Sequence, residues 1–277
     1  MTDNTLLTPL TDNADWRLVI RISASNLKAY LKNSADSDAP LRLVADTDWN
    51  SDNDADTLNA IQNAVYASPA MLDDYEADII LEADNCIFVP EEAIEAPGDA
   101  EFLYSKVFKA DEEDIYIDRF NGIACLYRPV EGLKSFTDRT FPGARVASAL
   151  STLICHFRDQ ATDNPRIYVH IREGKADIMA FDKRNLLCAA THPWHNPEDI
   201  VYYTLLTCNA TGIDAAEANV RISGKKDVRP GVVESLRKVV ASASFTIVPR
   251  IADAAGLPLE AALCIQRKHT GRNIPTE

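Results

Sequence analysis

No cysteine pair of the form C-x-x-C occurs in this chain; Cys86, Cys125, Cys155, Cys188, Cys208 and Cys264 stand singly. That spacing excludes zinc ribbons and thioredoxin-like redox sites. Most lie in apolar runs such as SALSTLICHF, as reduced, buried thiols do in a cytoplasmic protein. G-x-S-x-G, G-x-x-x-x-G-K-[ST] and G-x-G-x-x-G are missing too, so serine hydrolases, P-loop enzymes and dinucleotide folds lose their usual signals. No apolar run approaches the roughly 18 residues that span a bilayer. The start, MTDNTLLTPLTDNAD, lacks the basic region and apolar core of a secretory signal. Basic charge is scarce, with 28 Lys and Arg against 42 Asp and Glu, a net −14. Nucleic acid and anionic membrane, both negative, would be repelled. The expectation is a cytoplasmic protein with no nucleic-acid partner and no membrane insertion.

What is present suits a globular chain. Its 277 residues, 46% hydrophobic, can build one large domain or two of average size. Residues 1–15 are polar and read as a mobile start. WRLVIRI, LKAYLK and LRLVADTDW read as a three-strand meander, followed by a helix capped by Asp54 or Asp56 with Leu58, Ile61, Ala64 and Val65 on one face. Then come strands EADIILEA and CIFVP, a helix through EEAI and EFLYSKVF, strands DIYID and GIACLYRP, amphipathic EGLKSFTDRTF, strand-like RVASAL and helix STLICHFRDQ. The second half opens on another meander, RIYVHIREGKADIMAFDKRNLLCAATHPW, with tight corners at REGK and DKRN. Asn196 caps the next helix, with Pro197 at its first position and Glu198 and Asp199 in its first turn. Its body, apolar on nearly every side, reads as buried between sheet and partner layer; Gly212 ends it. NVRIS, VVESLRKVV and FTIVP follow as strand, helix and last strand.

The halves repeat one order: meander, helix, strand, helix, strand. The meanders begin about 150 residues apart and the helices about 142. Pairing GIACLYRP with NVRIS, EGLKSF with VVESLRK and RVASAL with FTIVP gives steps of roughly 98. A duplicated unit with one insertion at 77–119 accounts for the difference. The division expected is a first lobe at 16–160, a second at 161–265 and a polar tail at 266–277.

A duplicated β-β-β-α-β-α-β unit resembles the actin, Hsp70 and sugar-kinase superfamily, whose members share a ribonuclease H-like α/β fold. The run NLLCAATHPWHNPEDIVYYTLL, followed by NVRISGKKD, is similar to an uncharacterised family found mainly in Bacteroidetes, with an actin-like ATPase fold and no assigned function. The likeness covers nearly the whole chain in element order and is specific in residues over about 185–226.

That resemblance implies three nucleotide-binding corners. In each half an Asp-x-Gly hairpin would organise the metal and offer backbone N–H groups to phosphate, with glycine leaving room for the phosphate itself. The first corner here is Ser23-Ala24-Ser25-Asn26, with Ser23 for the acid and Ser25 for the glycine. The second is aligned with His170 at the acid and Arg172 at the glycine, Gly174 surviving. The third, a glycine pair against adenosine, is reduced to Ser223-Gly224. Loss of both acids removes the Mg²⁺ geometry of phosphoryl transfer, so no catalytic residue, metal or ATP is expected.

Other constellations read as structure. His192 and His195 alone fall short of the three or four ligands a zinc site needs. Glu198 and Asp199 belong to a helix start. The acidic stretch from Asp36 to Asp56 lacks the glycine and final glutamate of a calcium loop. Lys225 and Lys226 read as a charged turn. The leading reading is a non-catalytic interaction or scaffold protein of actin-like fold, its partner another protein and a homodimer among its forms. The alternative is a sensor or enzyme holding an anionic or nucleotide ligand through Arg172, Lys175 and Ser25, since a guanidinium pairs well with phosphate or carboxylate. Filament assembly is a third.

Overall fold

A computed structural model of the chain describes residues 16–33, 36, 39–83, 85–108, 115–162, 164–254 and 257–266. The N-terminal 15 residues, the tail beyond 266 and part of the acidic loop near Asp38, all read from sequence above, lie outside the described residues. The chain divides into two units, residues 1–147 with 264–277, and residues 148–263.

The first unit is built on a five-stranded sheet. β1 (Trp16–Ile22), β2 (Asn26–Asn33) and β3 (Arg42–Asp48) form the expected antiparallel meander; β4 (Glu76–Leu81) runs parallel to β1. β8 (Arg145–Ser148) completes the order β3-β2-β1-β4-β8. The alternation of WRLVIRI sends Leu18, Ile20 and Ile22 into one core with Ile61 and Val65 of α1 (Asp54–Tyr66) and Leu133 and Phe136 of α3 (Leu133–Thr140). Each such buried Leu or Ile contributes about 1.5–3 kcal/mol. The cap of α1 is Asn53, not Asp54 or Asp56: its side chain accepts from Asp56 N at 2.9 Å, and the two aspartates occupy the first turn. There they favour the positive end of the helix dipole.

A separate three-stranded antiparallel sheet joins β5 (Cys86–Pro90), β7 (Ile123–Tyr127) and β6 (Tyr116–Phe120) in that order. Asn121 and Gly122 connect β6 to β7, both at positive φ, as a two-residue hairpin turn matching the strand twist requires. The helix expected through EEAI and EFLYSKVF is broken: a single short turn at Glu91–Ala93, then α2 (Asp99–Ser105) after Gly98 at φ 93°.

The second unit repeats the first sheet. β9 (Arg166–Ile171), β10 (Lys175–Asp182) and β11 (Asn185–Pro193) form the meander; β12 (Asn219–Gly224) lies parallel to β9 and β13 (Ser242–Phe245) parallel to β12. The order is β11-β10-β9-β12-β13. α4 (Ala149–Asp159), α5 (Pro197–Thr211), α6 (Arg229–Leu236), α7 (Arg250–Ala254) and α8 (Leu259–Ile265) are the helices that follow β8. The last strand begins at Ser242, ahead of the expected FTIVP, because Ala243 is the residue that reaches the core. α5 carries the full capping box between Asn196 and Asp199 and ends at Gly212, φ 71°. It is not buried all round. Ile200, Thr204, Thr207 and Cys208 are covered, while Tyr202 (61% exposed) and Leu206 (43%) face outward. The thiols divide similarly: Cys125, Cys208 and Cys264 are buried and Cys155 is exposed.

The topology moves the insertion. β4 pairs with β1 as β12 pairs with β9, so EADIIL, not GIACLYRP, is the counterpart of NVRISG. Elements start at Trp16 and Arg166 (150 apart), Asp54 and Pro197 (143), and Glu76 and Asn219 (143); then Leu133 and Arg229 (96), and Arg145 and Ser242 (97). The step drops after β4, so the extra residues are the segment carrying the small sheet, between β4 and α3. An insertion at 77–119 would have removed β4 from the central sheet.

Gly224, at the end of β12, has φ +96°, and a Cβ there would lie 2.0 Å from Ile171 O. Gly224→Ala should cost 1–3 kcal/mol or so from backbone strain, before any clash. Thermal denaturation followed by circular dichroism should show a fall of about 2–4 °C per kcal/mol for a chain of this size. An unchanged midpoint would contradict the close approach.

Candidate functional site

The hairpin corners between first and second strands come first. In the first unit, Ile22 faces Leu27 and Ser23 N donates to Asn26 O at 2.8 Å. In the second, Ile171 faces Ala176 and Arg172 N donates to Lys175 O at 2.7 Å. The two four-residue corners are thus in register, Ser23 with Arg172, Ser25 with Gly174. The sequence alignment was two residues off. Arg172, not His170, stands where the acid was sought, and Gly174, at φ 63°, stands where the glycine was sought. His170 belongs one strand-pair further in, opposite Asp177 on β10 and Ser223 on β12.

Each corner is tied down by a tryptophan following the third strand. Trp49 N donates to Ser25 O at 2.9 Å and its indole Nε1 to Ala24 O at 2.8 Å. Trp194 N donates to Gly174 O at 3.0 Å and its Nε1 to Arg172 O at 3.1 Å. The repeat extends to the next element: Glu82 N donates to Ile22 O and Lys225 N to Ile171 O, both at 2.8 Å. It extends also to the caps, Asn53 with Asp56 and Asn196 with Asp199.

At the first corner, Ser25 N donates to Ser23 Oγ at 3.3 Å. Asn26 is turned toward β3, its Nδ2 donating to Asp48 Oδ1 at 2.6 Å and Asp46 Oδ1 at 3.3 Å. Burial alone would raise the Asp46 carboxyl; hydrogen bonds from Lys28 and Asn26, with the Lys28 charge, leave it below its usual range. A pocket of about 180 Å³ opens beside Ser23 and Ala24, with Asp54, Thr57, Glu82 and Arg128 in its wall. Those two carboxylates lie outside any Asp-x-Gly corner pattern, since they come from the start of α1 and the residue after β4. Both already face guanidinium groups: Glu82 pairs with Arg21, and Asp54 lies 3.5 Å from Arg128.

At the second corner, Arg172 donates to the carboxylate of Asp177 through Nε (2.7 Å) and NH2 (2.8 Å). Thr191 adds a hydrogen bond to Asp177 at 2.6 Å. Asp177 is fully buried. Burial would raise its carboxyl, but the Arg172 charge and the bonds from Arg172 and Thr191 outweigh that and hold it below the usual range. A bidentate pair of this kind fixes the guanidinium plane. The alternative assigned Arg172 to an incoming anion; that guanidinium is already engaged by Asp177. Lys175 contributes its carbonyl to the corner, and Lys225 pairs with Glu173.

The third corner is closed as well. Ser223 is fully buried with its Oγ 2.9 Å from His170 Nδ1, and Gly224 leaves room for the backbone of Ile171. Of the two loop histidines, His192 stacks on Tyr203 at 4.2 Å between centroids, and the exposed His195 donates its backbone N–H to Asp199. Among the described residues no group of three His, Cys, Asp or Glu is placed to hold a metal ion. Nor does any described helix have the length and apolarity to cross a membrane.

Comparison with known proteins bears on the family and the fold. The family described as "Protein of unknown function (DUF3822)" matches residues 9–242. A crystal structure from Bacteroides thetaiotaomicron, a protein with actin-like ATPase fold and unknown function, superposes with TM-score 0.76. It is 16% identical, over 95% of this chain and 100% of that one. The ethanolamine utilization protein EutJ from Carboxydothermus hydrogenoformans gives TM-score 0.47 at 9% identity, over 94% and 92% of the two chains. No curated protein matches the sequence. The fold is the duplicated actin-like one.

Replacing Asp177 by Asn should cost about 3–5 kcal/mol at pH 7, the usual effect of breaking a buried pair. A carboxylate held low in the folded state stabilises above its unfolded pKa of about 3.9, and that stability is lost as pH falls through the folded value. Urea denaturation at pH 7 and pH 3 should therefore show the gap between wild type and D177N narrowing in acid. A constant gap would contradict the assignment.

Proposed function

The chain belongs to that family of unknown function, and we propose that it is a non-catalytic member of the actin-like fold, an interaction or scaffold protein binding another protein in the cytoplasm. One observation carries the reading: both hairpin corners that would cradle magnesium triphosphate hold other chemistry. Ser23 stands at one acid position. Arg172, clamped to a buried Asp177, stands at the other. Phosphoryl transfer depends on a metal bridging the phosphates and on charge placed around them. A cation at the acid position cannot organise Mg²⁺. The net charge of −14 keeps nucleic acid off the list of partners. The exposed Tyr202 and Leu206, one turn apart on α5, support a role in protein contact, since aromatic side chains are enriched where proteins meet.

A second reading, a small-ligand sensor, is favoured by the first-unit pocket. Its volume of about 180 Å³ is below the roughly 300–1,000 Å³ of sites that take drug-sized ligands. Asp54 and Glu82 in its wall oppose a triphosphate. The ligand on this reading is small and polar, and Arg128 is the group that orients it.

Isothermal titration with Mg²⁺·ATP, alongside a phosphate-release assay, separates these readings from an ATPase. The expected result is no saturable heat up to about 1 mM nucleotide, the weak-binding end of the affinity scale, and no turnover. Micromolar affinity with phosphate release would end the non-catalytic proposal.

A further inference from the structure

Each of the three sheets ends in two edge strands: β3 and β8, β11 and β13, β5 and β6. An edge strand turns alternate backbone N–H and C=O groups away from its sheet. Proteins blunt such rows by shortness, charge, proline or bulges, because they invite pairing with another chain. Five of these edges are blunted. β8 and β13 are four residues long. β3 carries Arg42, Asp46 and Asp48, and β6 carries Asp118 and Arg119. β5 has five residues and ends on Pro90.

β11 is the exception. It is nine residues long, NLLCAATHP, and its one proline is the last of them. No Lys, Arg, Asp or Glu occurs from Asn185 to Pro197. The register with β10 slips once, between Ala180 and Phe181, and then runs unbroken from Cys188 to Pro193. No residue of β11 is buried, whereas β9 and β10 beside it are buried at nearly every position. Among the described residues, β10 is its one strand partner. The counterpart in the first unit is β3, the third strand of that meander, and there the same edge holds three ionic side chains.

We propose that the outer edge of β11 pairs, antiparallel and about a twofold axis, with β11 of a second copy of this chain. This goes beyond the scaffold reading, which concerns a different protein. Charge selects the occupant. A chain of net −14 repels its own copies over most of its surface. A strand without ionic side chains is where two copies meet with no like charges opposed. It equally offers nothing to a partner recognised by opposite charge. Antiparallel pairing of a strand with itself is self-complementary, so the donors and acceptors of one copy meet the acceptors and donors of the other. Such a contact closes on itself. The product is a dimer with two sheets joined edge to edge, not a filament. The regular stretch Cys188–Pro193 gives a paired length of about 20 Å. That is a modest contact, and its association is expected in the micromolar range.

Sedimentation velocity of the full chain from about 1 to 100 µM covers the affinities of a contact of modest area. Hydrogen–deuterium exchange on the peptide spanning Asn185–Pro193 is read over the same range. Wild type should pass from monomer to dimer as concentration rises, and exchange in that peptide should slow with it. Ala190→Lys sets like charges near the axis and should raise the dimer dissociation constant roughly tenfold or more. Leu43→Lys, at a residue 55% exposed on β3, should leave it unchanged. A wild-type chain that stays monomeric at the highest concentration overturns the proposal, whether or not the variants fold. So does β11 exchange that is the same in monomer and dimer, since the edge is then covered by another segment of the chain or the copies meet elsewhere. Assembly that grows beyond a dimer, or dimerisation undiminished in folded A190K, also overturns it.

Discussion

The amide that follows the fourth strand of each unit donates to the carbonyl of the isoleucine ending the first strand. Glu82 to Ile22 and Lys225 to Ile171 are both 2.8 Å long. That bond locks the parallel strand against the hairpin and so decides where each corner sits. It forces close backbone approach at Gly224, where any Cβ would overlap Ile171. It brings residues distant in sequence beside the corner, Glu82 in one unit and Lys225 in the other. The tryptophans, the caps and the pocket wall are arranged around this point. The two copies share these backbone hydrogen bonds and carry different side chains at their corners.

The charges at the two corners differ in kind. In the first, Ser23 opens the corner and two carboxylates, Asp54 and Glu82, stand beside it, each facing a guanidinium. In the second, Arg172 opens the corner and is paired with Asp177 across the hairpin. Breaking a buried pair costs several kcal/mol, because the remaining charge is left without compensation. Arg172 is therefore a poor candidate for release to an incoming ligand. An internally satisfied corner is the physical content of the proposed non-catalytic reading.

Local signals made most elements legible. Alternation in WRLVIRI and RIYVHI, the NPED start of α5 and Gly212 at its end each depend on neighbours within a few residues, and each is found where expected. Errors arose where the decisive partner was remote. EADIILEA and GIACLYRP both read as short apolar strands; only parallel pairing with β1 distinguishes the central one. Residue type alone puts His170 in register with Ser23, whereas hairpin pairing puts Arg172 there. Asn53 was passed over for two aspartates of similar capping strength. Outward-facing Tyr202 is not evident in a helix body that is apolar on nearly every side.

A crystal grown with several millimolar Mg²⁺ and a non-hydrolysable ATP analogue would examine the central claim most directly. The account predicts no ordered triphosphate over Ser23–Asn26 or Arg172–Lys175, with Arg172 still paired to Asp177. An analogue seated on either corner, with magnesium coordinated and Arg172 swung away from Asp177, would contradict it.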